Sequence, residues 1–391
     1  MGRYLLNRGL AGLVTLLLFA SVAFFLVQII VPADFTVQFS IGMNRAEREA
    51  MQEELGLNLP LWQQYLNWMR DFFSGKLGTS FYGYPVLDVL QAALPLSLLI
   101  FLPGTALAYW IGMQLGKFAG WSRHQARASA ATLGGLALFT TFPPWLAWLV
   151  AYFLGRQLGM LRGGFFFSPG LDDLNRRLWA TIELRPDQIA ARMLLTLAVV
   201  SAILAATHGV LRRRQRRLPP VVFALVLAAL CYPIWQAWGF APQALDLLTL
   251  AALPMLTYTL LSFGETLLIM RTGMQESRTQ EYITVARAKG LPERQIRDRH
   301  AARNAILPVV SRLIISLPYL LTGIVIIEDV LEWPGLGTSL FDSLYQQDMP
   351  MVMAMFLMVG GFSLAARLLL EALLVVLDPR LRVSRQAEYL A

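Results

Sequence analysis

Runs of roughly 20 apolar residues recur along this chain, about the length a helix needs to cross a hydrocarbon core of ~30 Å. They lie at roughly 10–31, 92–116, 129–154, 192–211, 219–239, 245–270, 306–327 and 351–377. Of the 391 residues, 56% are hydrophobic and 15% charged, against about 45–50% and 25% in soluble domains. The excess sits in the runs rather than in amphipathic stripes. No ten-residue alternation suggests a barrel, and non-helical backbone cannot face lipid. The expected fold is therefore all-α, a polytopic transmembrane helical bundle of about eight spans.

The first run resembles a secretory signal. Arg3 and Arg8 precede it, and Ser21-Val22-Ala23 is like a peptidase site. The apolar stretch continues to Val31, beyond the ~7–15 residues of a signal core, so it reads as an uncleaved span. The net charge of +8 does not point to nucleic acid, because Lys and Arg gather between spans as orientation signals do. With the N-terminus inside, one side of the membrane receives Arg3, Arg8, Lys117, Arg123, Arg127, the cluster Arg212 to Arg217, the basic residues from Arg271 to Arg303, and Arg380, Arg382 and Arg385. The opposite segments hold fewer. The segment 328–350 has none and carries Glu328, Asp329, Glu332, Asp342 and Asp348. Both termini are expected in the cytoplasm. The Arg212 to Arg217 cluster reads as a device holding a turn inside, rather than as a headgroup site.

Few charges fall within the runs. Arg367 and Glu371 have the spacing of a pair on one helix face, and Arg312 can snorkel to the inner interface. A proton relay would want acids and histidines at mid-depth, and that chain is missing. His124, His208 and His300 lie far apart, with no second His or Cys at metal-ligand spacing. There is no phosphate-binding G-x-x-x-x-G-K-[ST]. Gly112, Gly116 and Gly120 read instead as a helix-packing face. The lone Cys231 lies in an apolar run and reads as a small apolar side chain. No metal, cofactor or catalytic site is expected in this chain.

The segment from Arg271 to Arg303 is the most informative. Ser277-Arg278-Thr279-Gln280 fits a capping box opening a helix, and Glu281 to Lys289 reads as a short helix with one apolar edge. Gly290 suits a left-handed stop, and Pro292 suits the opening of the next helix, through Ile296 to His300. Two short helices meeting at a glycine elbow, held by the ends of two spans, can dock a partner or transmit force.

Glu281-Tyr282-Ile283-Thr284-Val285-Ala286-Arg287-Ala288-Lys289-Gly290-Leu291, with His300, Arg303, Asn304, Ala305 and Pro308, resembles the EAA loop of dipeptide/oligopeptide/nickel ABC permeases. Three further stretches are similar to that family. Glu54 to Tyr65 with Gly75 to Ser80 resembles its first external loop. Glu328, Trp333-Pro334-Gly335-Leu336-Gly337 and Asp348-Met349-Pro350 resemble its last external loop, and Asp378 to Arg382 resembles its ending. The early pattern is like the B-type permease of the pair. Two departures stand out: Leu331 occupies a usual Phe position, and the family has about six spans. The surplus is a hairpin inserted at 192–239.

The resemblance implies a type I ABC importer permease in the inner membrane, forming half of a path for peptides or similar small solutes. Substrates in such families include dipeptides, oligopeptides, nickel complexes and glycans. The implied partners are a second permease, two ATPase subunits or domains that hold ATP and Mg, an external binding protein, and membrane lipid. The chain itself is expected not to be an enzyme. The expected organisation is an N-terminal span with external loop, 1–91, then a permease domain, 92–391, with coupling loop 276–304. The ATPase-coupling residues are Glu281, Tyr282, Val285, Ala286, Arg287 and Gly290. The external loop contributes Glu328, Trp333, Pro334, Gly335, Asp342 and Asp348, as a gate and binding-protein surface or as a structural turn. A stand-alone channel or ion-coupled carrier is the alternative. Inverted repeats would support it; none is visible, and the 277–308 motif has no role in it.

Overall fold

The computed structural model describes residues 2–30, 46, 49, 53, 58–122, 124–157, 174–213 and 220–377. All regular structure among them is helical, as apolar runs in lipid require. In chain order the helices are α1 (Gly2–Ile30), α2 (Leu61–Phe73), α3 (Val86–Trp121), α4 (Gln125–Thr140), α5 (Pro143–Val150, continued by wider π turns over Ala151–Gln157), α6 (Arg176–Trp179) and α7 (Pro186–Arg213). They continue with α8 (Pro220–Ala237), α9 (Ala241–Arg278), α10 (Glu281–Ala288), α11 (Glu293–Gln295, leading through π turns over Ile296–Ala301), α12 (Ala302–Val330), α13 (Leu336–Tyr345) and α14 (Met349–Leu377).

Helices stand at every apolar run, but not all are straight spans. Among the described residues, four helices are long and apolar enough to cross a membrane: α1, α3, α7 and α9. The run at 129–154 is a correction to the expectation of a simple span. It breaks into α4 and α5, bent by 108°. The cause is Pro143-Pro144: Phe142 is forced to an extended φ −61°, ψ 120°, because a residue before proline is pushed out of the helical region. Arg367 and Glu371 lie outside the described side chains, and 54–57, 214–219 and 378–391 outside the described residues.

The chain forms two compact units. One contains residues 1–90, 314–318 and 339–391, so the last helix groups with the N-terminal segment. In it α1 packs along α14. A Cβ on Gly12 would collide with Leu364, and one on Gly360 would approach Leu16 to 2.9 Å. Phe24, Val352 and Met353 are buried beside Tyr65 and Trp68 of α2.

The other unit contains residues 91–313 and 319–338. Its mast is α9. The expected small-residue face is present: Cβ atoms on Gly112, Gly116 and Gly120 would stand 2.6 Å from Phe263 O, Met270 Cβ and Met274 Cβ of α9, so α3 lies backbone-close along it. On α4, Gly135 meets Gly264 of α9 just as closely. The hairpin of α7 and α8 packs on itself and on α9. Trp235 Nε1 donates to Thr196 Oγ1 at 2.8 Å within it, and Cys231 is buried there. Leu195, Val199, Ile203 and Leu225 form its exposed apolar side. At the start of α9, buried Asp246 accepts from Asn175 N and Trp179 Nε1 at 3.0 and 2.9 Å, tying α6 to the mast.

Candidate functional site

The segment between α9 and α12 is a compact, internally braced object. The capping-box expectation needs correction. α9 continues through Arg278, with Ser277 buried on it, and α10 begins after Gln280 without a side-chain cap. Helix α9 wins those residues because its inner face still has Met270 and Met274 to cover. The glycine stop is as expected. Gly290 has φ +73°, Gly290 N donates to Arg287 O at 2.9 Å and Leu291 N to Ala286 O at 3.3 Å. That is the Schellman pairing, and Leu291 adds the accompanying apolar contact.

α10 has two faces. Ile283 and Ala286 are buried with Met270, Met274, Ile296, Ala301, Ala305 and Val309. Glu281, Tyr282 and Val285 are exposed. Ala286 is therefore not on the outer surface: it stands three residues after Ile283, on the same inward stripe. Asn304 Nδ2 donates to the Tyr282 hydroxyl at 2.9 Å, fixing that ring against the start of α12.

Arg287 also has an internal role. Its Nε donates to Glu293 Oε1 at 2.8 Å, and Trp121 Nε1 donates to Glu293 Oε2 at 3.1 Å. The guanidinium carbons of Arg278 and Arg287 stand 6.0 and 5.8 Å from the Trp121 ring centroid, as cation–π partners do. The end of α3 is thereby stapled to both sides of the glycine elbow. Sequence reasoning missed Trp121 and Glu293. Gly120 beside Trp121 was a signal for where α3 packs, but nothing local marked its partner. Nearby, Arg297 Nε and Nη2 reach both carboxylate oxygens of Asp298 at 2.8 and 2.9 Å and hold that carboxyl below the ordinary carboxylate range.

At the other end of α12, Trp333 is buried, with Nε1 donating to Leu96 O at 3.2 Å. It anchors the turn rather than presenting an aromatic surface, and Leu331 is buried close by in sequence. Glu328 is fully buried; Gly337 N donates to its Oε2 at 2.7 Å. Pro334 is half-buried between Trp333 and Gly335. A Cβ on Gly335 would strike the Glu328 carboxyl, so that glycine is dictated by close approach. In the first unit, Asp348 is buried and accepts from Ser80 Oγ and from Phe81 N, while Asp342 is exposed. The five acids thus do not form one surface. Glu328 and Asp348 are tied inward because buried carboxylates need donors.

Two family models match the chain. One, for the N-terminal part of a binding-protein-dependent transport system membrane component, covers residues 1–96. The other, for the binding-protein-dependent transport system inner membrane component, covers 215–383, including the braced loop and all of α9 and α12. The chain belongs to this permease family. It is therefore a multi-pass membrane permease subunit of an ABC importer, as the helices and the two matches together require. The second match begins between α7 and α8, so it takes in one arm of the hairpin. Similar proteins run the full length of this family member. The oligopeptide transport system permease protein AppB of Bacillus subtilis is 27% identical over 97% of this chain and 99% of its own. The dipeptide transport system permease protein DppB of Lactococcus lactis is 28% identical over 98% and 100%. DppB of Escherichia coli is 27% identical over 87% of each chain.

Proposed function

We propose that this permease forms half of a translocation path for peptides and is driven through α10 and the Gly290 elbow. A second permease completes the path, and an external binding protein delivers the solute. Two ATPase subunits or domains, holding ATP and Mg, receive the loop. The carrying observation is the two-faced α10: Ile283 and Ala286 lock into the core of α9 and α12 while Glu281, Tyr282 and Val285 are exposed. A force on the outer face reaches two long helices without slack. Arg287 acts from within, by bracing Glu293 and Trp121. The basic residues around the loop support a cytoplasmic side for it and for both termini. The peptide assignment rests on the full-length likeness to peptide permeases. ATP hydrolysis biases the path between inward- and outward-facing arrangements by differential contacts.

The test is Gly290→Val. A Cβ there meets nothing within 4 Å, so the effect is conformational: a left-handed φ costs a β-branched residue roughly 1–2 kcal/mol. The variant is expected at normal membrane levels, with weakened ATPase co-purification or uncoupled hydrolysis and little uptake. Gly290→Asn, which tolerates that backbone, should resemble the parent. If Gly290→Val matches the parent in uptake, co-purification and stimulated hydrolysis, the loop is not the coupling element.

A further inference from the structure

Arg312 does not snorkel alone. Its Nε donates to Glu265 Oε1 of α9 at 2.5 Å, and the two side chains remain 45% and 18% exposed. At 1.5 Å per residue, Glu265 lies roughly 8 Å inside the run that ends at 270, and Arg312 roughly 9 Å inside the run that begins at 306. Asn304, Pro308, Ser311 and Arg312 share one exposed side of α12, an arc of about 100° by helix geometry. A partly exposed ion pair within two apolar runs, with Asn304 and Ser311 on the same side of α12, is a costly surface to turn to hydrocarbon; such groups face a bundle interior or a water-filled cavity. The apolar exposed side of α7, with Leu195, Val199 and Ile203, is the contrasting lipid-type surface.

We propose that Glu265 and Arg312 line the water-filled translocation path and meet the charged ends of a passing peptide. The carboxylate meets Arg312, whose remaining donors hold no hydrogen bond among the described residues, and the ammonium meets Glu265. The proposal rests on the permease reading above and adds a site to it. Arg is suited to this because its planar fork can hold one carboxylate while Nε keeps another.

The experiment uses the assembled transporter in inverted membrane vesicles, with Cys231→Ser throughout. Ser311→Cys and Val199→Cys are each treated with a membrane-impermeant thiosulfonate. Ser311→Cys is expected to label, at a rate that changes with nucleotide state, while Val199→Cys does not. In parallel, Glu265→Gln, Arg312→Gln and the double variant are assayed for peptide uptake in intact cells, where the external face meets the binding protein. The double variant, compared with the parent at equal membrane levels and equal ATPase co-purification, should lose peptide uptake about tenfold, the scale of one charge-assisted hydrogen bond. If Ser311→Cys resists labelling as Val199→Cys does, the face meets lipid or a dry interface and the proposal falls. If the double variant transports like the parent, the pair is only a clasp and the proposal also falls. Failure of the parent itself to co-purify ATPase or to take up peptide would instead overturn the permease reading.

Discussion

Asp348 and Asp342 share one acidic loop, yet one is 4% exposed and receives two donors while the other lies at the surface. Replacing Asp348 with Ala removes the acceptor for the Ser80 hydroxyl and for Phe81 N, a loss of about 1–3 kcal/mol for buried polar groups. Asp348→Ala should lower the melting temperature of the purified protein and speed proteolysis near Lys76, whereas Asp342→Asn should change neither. Equal behaviour of the two would show that the Ser80 contact holds nothing. The distinction was not legible in the sequence, which shows two aspartates in a base-free segment but not the distant serine that captures one of them. Gly290 is the opposite case. Its left-handed φ was readable because a helix stop is decided by the residue itself and its immediate neighbours.

Among the helices, the packing face of α3 was readable for the same kind of reason. Glycines four apart project from one side of a helix, and close approach is the one thing they permit. The bend between α4 and α5 was less visible. Pro143 and Pro144 were apparent, but prolines are tolerated inside membrane helices, so their presence alone does not separate a kink from a break of 108°. Gly264 tests whether backbone contact at the mast carries stability. A Cβ there would meet Gly135 O at 2.2 Å and Phe139 Cβ at 2.8 Å, and backbone cannot swing aside. Gly264→Ala should therefore destabilise by roughly 1–3 kcal/mol, the usual overpacking range, while Gly134→Ala, with open space around it, should be silent. Melting curves of the two detergent-solubilised variants decide it; indistinguishable curves would mean that α4 can shift to make room.

At the scale of the whole permease, the coupling role proposed for the braced loop would carry motion from ATP hydrolysis into α9 and α12, because the loop is held between them. They approach at two levels. Near the loop, a Cβ on Gly273 would stand 3.1 Å from Ala305 Cα and 3.2 Å from Ala305 Cβ. Roughly two turns further in, Glu265 and Arg312 join. Two separated contacts resist both sliding and rotation, so the pair of helices is expected to move as one lever with α10 as its handle. The pairing itself was hidden in the sequence, since Glu265 and Arg312 each look solitary until two antiparallel helices are set in register. A cross-link offers the decisive measurement. With Cys231→Ser, Gly273→Cys and Ala305→Cys place two Cβ atoms 3.2 Å apart, slightly closer than the ~3.5–4.5 Å Cβ separation of a disulfide, a gap that a small outward shift supplies. The oxidised transporter is expected to keep ATP-driven uptake, because joining parts of one rigid lever removes no motion it uses. Uptake that is abolished by oxidation and restored by a reductant would show that α9 and α12 slide past one another during transport, and the lever would have to be replaced by a shear.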